Sequence, residues 1–184
     1  PILPSCSSPV LSIHCKLTLS IMMFSMIIRA INDTDWPSIL SIQATVYPDI
    51  TPETETVLRS KMVLGPQTCL VITDQQHNVT GYCLAHPWHR HPASLHTVYS
   101  KPQQTELLYI HAMAIAPAYA GKRFGSQTLK YLQVWAKQQG YREVSLVSLQ
   151  QAVSYWQRHG FEPQNYAIDD SQYGTGACYM LKQI

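Results

Sequence analysis

Apolar residues along this chain follow two different spacings that alternate from end to end. Unbroken apolar runs between turn residues predict strands over residues 24–29, 68–73, 81–85, 107–115 and 143–149, with further strands from Phe161 to residue 182. Apolar residues spaced three and four apart predict helices from Trp36 to Tyr47, over residues 52–62, from Gly125 to Gly140, and over residues 153–159. The order β-α-α-β-β-β-α-β-α-β-β predicts an α/β fold in which a mixed sheet carries helices on both faces.

Two stretches lie outside this pattern. Residues 87–104 contain three Pro and three His without any period, so we expect a long loop of the kind that is usually functional or disordered. Residues 1–22 follow neither period, and we expect an extension outside the core, with one domain over residues 23–184. His14 and Lys16 interrupt the apolar part of this extension, which fits neither a membrane span nor a signal peptide.

Composition narrows the classes of function. The net charge of +2, from 13 Lys and Arg against 11 Asp and Glu, gives no basic patch for nucleic acid. Five scattered cysteines without a CxxC pair indicate reduced thiols and a cytoplasmic protein. His86, His89, His91 and His96 fit no metal-binding spacing, so we expect no metal and assign them instead to the lining of an acceptor site.

The longest predicted strand, residues 107–115, is followed by a tight turn and then by the helix that begins at Gly125. A turn that opens a helix presents free main-chain N–H groups and the positive end of the helix dipole, which suit phosphate oxygens. Gly121 and Gly125 allow a close approach of the main chain, and Lys122 and Arg123 add positive charge. The pattern favours a pyrophosphate site, and the alternative is an ordinary strand-to-helix turn with two glycines.

The segment IHAMAIAPAYAGKRFGSQTL resembles the cofactor segment of the GNAT superfamily of acyl-coenzyme A N-acyltransferases, whose turn reads Q/R-x-x-G-x-G/A. Ala120 and Arg123 depart from this motif, and Gly125 retains it. GYCLAHPW and VSLVSLQQAVSYWQRHGFEP extend the resemblance, which implies a mostly antiparallel sheet and acetyl-coenzyme A as cosubstrate. It also implies coenzyme contacts by Met113, Ala114, Ile115, Ala120, Gly121, Lys122, Arg123, Phe124, Gly125, Ser126 and Gln150.

Acyl transfer to an amine needs a proton acceptor, because an ammonium group has no lone pair. By the two-residue period of a strand, Tyr109, His111, Met113 and Ile115 share one face. If Met113 and Ile115 line the coenzyme, Tyr109 and His111 extend that line towards the acceptor. The strand is similar to that of arylalkylamine N-acetyltransferases, which implies that His111 is the base; the alternative is a hydrogen-bonded core histidine.

The family's usual acid is a tyrosine where this sequence has Trp156, with Tyr155 just before it. Either Tyr155 reaches the leaving thiolate through a local shift, or the thiolate leaves without an acid. Trp156 is expected to pack, and no cysteine is placed as an acyl carrier.

We therefore expect direct transfer of an acetyl group to a small-molecule primary amine, with no nucleic-acid or membrane partner. The sequence leaves open whether the protein forms a homodimer. The alternatives are a non-catalytic acyl-coenzyme A binding or sensing module and an acetyltransferase for protein N-termini or lysines.

Overall fold

The computed structural model describes residues 25–100, 102 and 105–184. Its strands form a seven-stranded sheet in the order β1-β2-β3-β4-β5-β7-β6. Neighbouring strands are antiparallel except β4 and β5, which are parallel, so the predicted mixed and mostly antiparallel sheet is confirmed. The strands are β1 Ile27–Ala30, β2 Leu70–Thr73, β3 Val79–Pro87, β4 Leu107–Ile115, β5 Glu143–Ser148, β6 Glu162–Pro163 and β7 Cys178–Gln183.

Helices cover both faces of this sheet, as predicted. Apolar side chains of α1 and α2, such as Ile39 and Leu58, pack on one face. Side chains of α3 and α4, such as Leu132 and Trp156, pack on the other. The helices are α1 Trp36–Val46, α2 Glu55–Leu64, α3 Phe124–Gln138, α4 Val153–Arg158 and α5 Asp170–Tyr173.

Two details differ from the sequence prediction. Helix α2 begins at Glu55, later than predicted, because Thr54 caps it by accepting a hydrogen bond from the Val57 amide. This leaves Glu53 in the connection between α1 and α2. Helix α5 was not predicted; its four residues are too few to show a period, and Asp169 caps it. The extension predicted for residues 1–22 lies outside the described residues.

The two parallel strands of the sheet diverge. Residues 107–110 of β4 pair with residues 143–146 of β5, and beyond Ile110 the described part of β4 pairs with β3 alone. We call the gap between the diverging strands the fork. It leaves one edge of β4 facing an open space at the centre of the sheet, and this space becomes the candidate site.

Candidate active site

A pocket of about 570 Å³ occupies the fork. Its walls come from the connection between α1 and α2, the diverging strands, the turn before α3, and helices α4 and α5. Among the described lining residues, three have acidic or basic side chains: Glu53, His111 and Arg123. The remaining lining residues that bear on the chemistry are Gln43, Tyr47, Leu95, Met113, Gly121, Gly125, Ser126, Gln151, Tyr155, Trp156 and Tyr173.

One end of the pocket is built by the turn between β4 and α3. Gly121 has φ +76°, and a Cβ there would meet nothing within 4 Å, so the turn leaves open space beside its main chain. Residues Phe124, Gly125 and Ser126 form the first turn of α3 and line the pocket. The amides of a first helical turn have no partner within the helix, so this end offers hydrogen-bond donors to an anion.

Arg123 replaces a glycine of the family motif at this turn. Its main chain has φ +63° and adopts the left-handed conformation that glycine prefers. The turn therefore keeps its shape in spite of the substitution, and it places a guanidinium-bearing residue in the pocket wall. Lys122 differs, because its ammonium group lies over the Tyr119 ring, 4.4 Å from the centroid, and the residue is not among those lining the pocket.

The middle of the pocket is the free edge of β4. The amide of Ala116 donates to the Thr80 carbonyl of β3, so by strand alternation the main-chain groups of Ala114 also face β3. Those of Met113 and Ile115 consequently face the fork. The Met113 carbonyl accepts a hydrogen bond there from the Tyr47 hydroxyl at 2.9 Å. The edge thus carries donors and acceptors suited to an extended chain with amide groups, as in the arm of coenzyme A.

A β-bulge interrupts β4 at the fork. Ile110 lies opposite Ala85 and Ala112 opposite Leu84, so His111 is the extra residue between two paired positions. The bulge breaks the two-residue alternation of β4, and the prediction that alternate residues of this strand share one face depended on that alternation. Tyr109 and His111 lie on the face of α1 and α2, whereas Met113 packs on the α3 and α4 face. The predicted common face for Tyr109, His111, Met113 and Ile115 is therefore wrong.

Tyr109 does not reach the pocket. It precedes the bulge, where β4 is still paired on both edges, and it packs in the core beside Tyr179 and Leu181 with only 1% exposure. Burial raises the pKa of its hydroxyl. The predicted place of Tyr109 on the acceptor side of the site is not found.

His111 and Glu53 form a buried pair at the acceptor end of the pocket. His111 Nε2 lies 2.6 Å from Glu53 Oε2, and both side chains are at most 6% exposed. A carboxylate only accepts, so the proton of this hydrogen bond is on Nε2, and in a neutral ring the lone pair is then on Nδ1. Among the described residues, Nδ1 has no hydrogen-bond partner. The ring is thus oriented by a carboxylate and holds one unused acceptor.

The Glu53 carboxylate is itself held in place from two sides. The His96 amide donates to Glu53 Oε1 at 2.8 Å, and Gln43 hydrogen-bonds both the amide and the carbonyl of the Glu53 main chain. Burial alone would raise the pKa of Glu53. The hydrogen bond from His111 and the His96 amide outweigh burial and hold this pKa below its ordinary value, so the carboxylate stays ionised.

Glu53 was missed as a site residue at the sequence level. An acidic residue near the positive end of a predicted helix is already explained by the helix dipole, so Glu53 did not stand out. The signal that was available is Thr54, a strong cap residue that places Glu53 before the helix rather than in it.

Two further predictions about the site were only partly right, and a third, the packing of Trp156, is confirmed. Gln150 packs its side chain against Gly176, where a Cβ would lie 2.9 Å from it, and it is the next residue, Gln151, that lines the pocket. Tyr155 lines the pocket, but beside α3: its hydroxyl lies 3.0 Å from where a Cβ on Gly125 would be. Trp156 packs edge-on against Phe161 in the core, as expected.

The predicted histidine lining of the acceptor end is wrong. From the loop after β3, the lining residue is Leu95, and none of His86, His89, His91 or His96 belongs to the pocket wall. His86 is fully buried, and burial lowers its pKa to about 3. Within the described ranges, no group of three His, Cys, Asp or Glu side chains could hold a metal ion, and no helix there is long and apolar enough to cross a bilayer.

The sequence model of the Acetyltransferase (GNAT) family matches residues 36–161, which span α1 to α4. This stretch contains the fork, the turn before α3 and the His111–Glu53 pair. The chain belongs to the GNAT acetyltransferase family, whose members transfer acyl groups from acyl-coenzyme A. Among curated proteins, no relative matches the sequence significantly.

Solved structures share the fold at low sequence identity. The GphF GNAT-like decarboxylase in complex with isobutyryl-CoA superposes with a TM-score of 0.71 at 15% identity, covering 85% of this chain and 98% of its own. Ard1 from Thermoplasma volcanium gives 0.67 at 17% identity, with 86% and 97% covered. The ribosomal-protein-S18-alanine N-acetyltransferase from Escherichia coli gives 0.62 at 15% identity, with 87% and 94% covered.

Proposed function

We propose that this protein transfers an acetyl group from acetyl-coenzyme A to a small primary amine with an apolar body, by direct attack of the amine. The observation that carries the proposal is the buried His111–Glu53 pair in the pocket wall, in which His111 Nδ1 is buried and has no hydrogen-bond partner among the described residues. A carboxylate-oriented imidazole in the wall of a pocket is a suitable general base. His111 is the base in this proposal, and it accepts the amine proton at Nδ1, directly or through a water molecule.

The residues of the fork fit coenzyme A. The first-turn amides of α3 and the Arg123 side chain would hold the pyrophosphate, and the free edge of β4 would hold the pantetheine arm. When bound, acetyl-coenzyme A supplies the thioester whose acetyl group is transferred. The Met113 amide would donate to the thioester carbonyl oxygen, where negative charge develops during attack. Glu53 would stabilise the imidazolium formed at His111.

The leaving thiolate is expected to depart without an acid from α4. Trp156 carries no suitable proton donor, and the Tyr155 hydroxyl lies beside the first turn of α3. We therefore assign Tyr155 to the coenzyme-binding wall. A thiolate is a stable enough leaving group for this route, because thiols ionise near pH 8.5.

The acceptor end of the pocket supports a small apolar amine. Its walls include Val46, Ile50, Pro52 and Leu95, and Glu53 is the one carboxylate among the lining residues that the structure describes. The loop after β3 is tied over this end: the Tyr173 hydroxyl donates to the Ala93 carbonyl, and the Leu95 amide donates to Gln172. A covered apolar end with one anionic group suits an alkyl or aryl amine better than a protein chain.

A non-catalytic acyl-coenzyme A binding module is the second candidate. Arg123 at a motif glycine and Trp156 at the position of the family's acid favour it. Such a module would bind the coenzyme with no need for a proton acceptor, and so it does not account for the buried His111–Glu53 pair.

The test is release of free coenzyme A from acetyl-coenzyme A in the presence of acceptor panels. The panels are alkylamines, arylalkylamines and peptides with free N-termini, each with wild-type protein and with Glu53→Gln as the control. Turnover with apolar amines that falls in the variant supports the proposal. A preference for peptides contradicts the acceptor class, and coenzyme binding without turnover on any panel contradicts the enzyme.

A further inference from the structure

Lys61 is a lysine of α2 whose side chain is completely buried. An ammonium group in the interior is costly unless it is hydrogen-bonded or paired. The Lys61 ammonium donates to the Thr97 carbonyl and lies 4.1 Å from the centroid of the Tyr99 ring. Both partners belong to the loop after β3, so the function of this buried cation is to hold that loop against α2.

The segment that Lys61 holds is the one that holds Glu53. Thr97 follows His96, whose amide donates to Glu53 Oε1 at 2.8 Å. His96 has φ +57°, a left-handed conformation that is uncommon in residues other than glycine. The hydrogen bond from the Lys61 ammonium to the carbonyl of Thr97, the residue after His96, helps to hold His96 in this conformation. A continuous path therefore runs from Lys61 through Thr97 and His96 to Glu53 and on to His111.

Lys61 also acts on the pair through its charge. Its positive charge favours the ionised Glu53 carboxylate and contributes to the lowered pKa of that group. Burial lowers the pKa of Lys61 to about 8, which leaves the group mostly charged at neutral pH. The other titratable groups packed around it are His86 on β3, which stays neutral, and Tyr99 on the loop. Lys61 is thus a local positive charge that opposes protonation of Glu53.

We propose that Lys61 is a positioning residue for proton transfer in this enzyme: it fixes the loop after β3 so that the His96 amide holds Glu53, and its charge keeps the Glu53–His111 pair ready to accept a proton. This inference depends on the proposed function, because it assigns Lys61 a role in the same reaction. Lys61 does not line the pocket, so the role is exerted through Glu53.

Lys61→Met tests the proposal, because it keeps an unbranched side chain of similar length and removes the donor and the charge. We expect kcat at pH 7 to fall about tenfold through loss of orientation, with little change in the Kd of coenzyme A. The acid limb of the pH–rate profile should move to higher pH, since a neighbouring positive charge no longer opposes protonation. Lys61→Gln, which keeps a donor without the charge, should shift the limb with a smaller loss of kcat.

A second measurement does not require turnover. Titration of the Glu53 carboxyl carbon by NMR should give a higher midpoint in Lys61→Met than in the wild type. Arg59→Met is the matched control, because Arg59 lies on the same helix and pairs with Glu55 and Asp33 at the surface. Arg59→Met should change neither the acid limb of the pH–rate profile nor the midpoint of the Glu53 titration.

The proposal is overturned if folded Lys61→Met keeps the wild-type kcat, pH profile and Glu53 midpoint. If Lys61→Met does not fold, the same three measurements on Lys61→Gln decide the question. A wild-type protein without transferase activity would refute the proposed function instead, and the Glu53 midpoint would still show whether Lys61 controls this carboxylate.

Discussion

The hydroxyl of Tyr47 donates to the main-chain carbonyl of Met113 at 2.9 Å, linking the end of α1 to the free edge of β4. This carbonyl is one of the acceptors that an extended ligand would need in the fork. The Tyr47 hydroxyl thus donates to the same carbonyl to which an amide N–H of a bound ligand would donate. Burial raises the pKa of this hydroxyl, so it remains a donor throughout the physiological range.

Tyr47→Phe should therefore strengthen the binding of coenzyme A. The variant removes a hydrogen bond that the ligand must displace, and a net hydrogen bond is worth about 1 kcal/mol, or about a fivefold decrease in Kd. Isothermal titration with coenzyme A measures the change. Weaker binding would mean that the Tyr47 hydroxyl contacts the ligand instead of giving way to it.

His111→Ala should lower kcat by about a hundredfold, the usual scale for a lost general base, and leave coenzyme affinity nearly intact. A general base acts only in its unprotonated form, so the variant should also lose the acid limb of the pH–rate profile. Tyr109→Phe is the control, because it removes a hydroxyl on the same strand and face but outside the pocket. A folded His111→Ala protein with normal turnover would place the base elsewhere.

Arg123→Gly should distinguish two properties of Arg123: the effect of its left-handed backbone conformation on stability, and the effect of its charge on coenzyme binding. Glycine adopts φ +63° without strain, so the free energy of unfolding should stay the same or rise by up to about 1 kcal/mol. Coenzyme A should bind more weakly and with a smaller salt dependence, because a guanidinium near the phosphates is lost. Thermal unfolding and titrations at two salt concentrations give both quantities. Affinity equal to that of the wild type would mean that Arg123 makes no phosphate contact.

His86→Phe should make the protein less sensitive to acid. The pKa of His86 is lowered by burial from 6.5 to about 3, so the unfolded chain binds a proton below pH 6.5 that the folded protein refuses. Wild-type stability should fall across this window with up to about 1.4 kcal/mol per pH unit from this residue. His86→Phe lacks this contribution.

Urea unfolding at several pH values between 7.5 and 4.5 compares the two proteins. The difference in unfolding free energy between wild type and His86→Phe should change in favour of the variant as pH decreases. A difference that is constant with pH would show that His86 takes up its proton in the folded state as readily as in the unfolded chain.

The sequence predicted the elements that carry local signals. Strand β4 was predicted with its observed bounds, because an apolar run ends at Pro117, and the turn before α3 followed from Gly121 and the resemblance to GNAT proteins. The family and the mixed sheet are confirmed. Such strands and turns depend on residues that are close together in the sequence, so their propensities can be read from the sequence alone.

What could not be predicted depends on contacts between distant residues. Glu53 and His111 are 58 positions apart, and no local pattern relates them. The bulge at His111 arises from the register with β3, so the alternation rule failed at the position where the chemistry is concentrated. The resemblance implied Gln150 as a coenzyme contact, but the side chain of Gln150 packs against Gly176, a distant residue, and Gln151 lines the pocket instead.

The short parallel pairing of β4 and β5 has a consequence for how this site can change during evolution. A ligand that adds to the edge of a strand is recognised through main-chain groups, which every residue except proline supplies in full. Side chains along that edge can then be substituted during evolution while the main chain continues to bind the same ligand. In the proposed function, recognition of the cosubstrate through the main chain of β4 would leave the side chains around Glu53 to determine which amine is accepted.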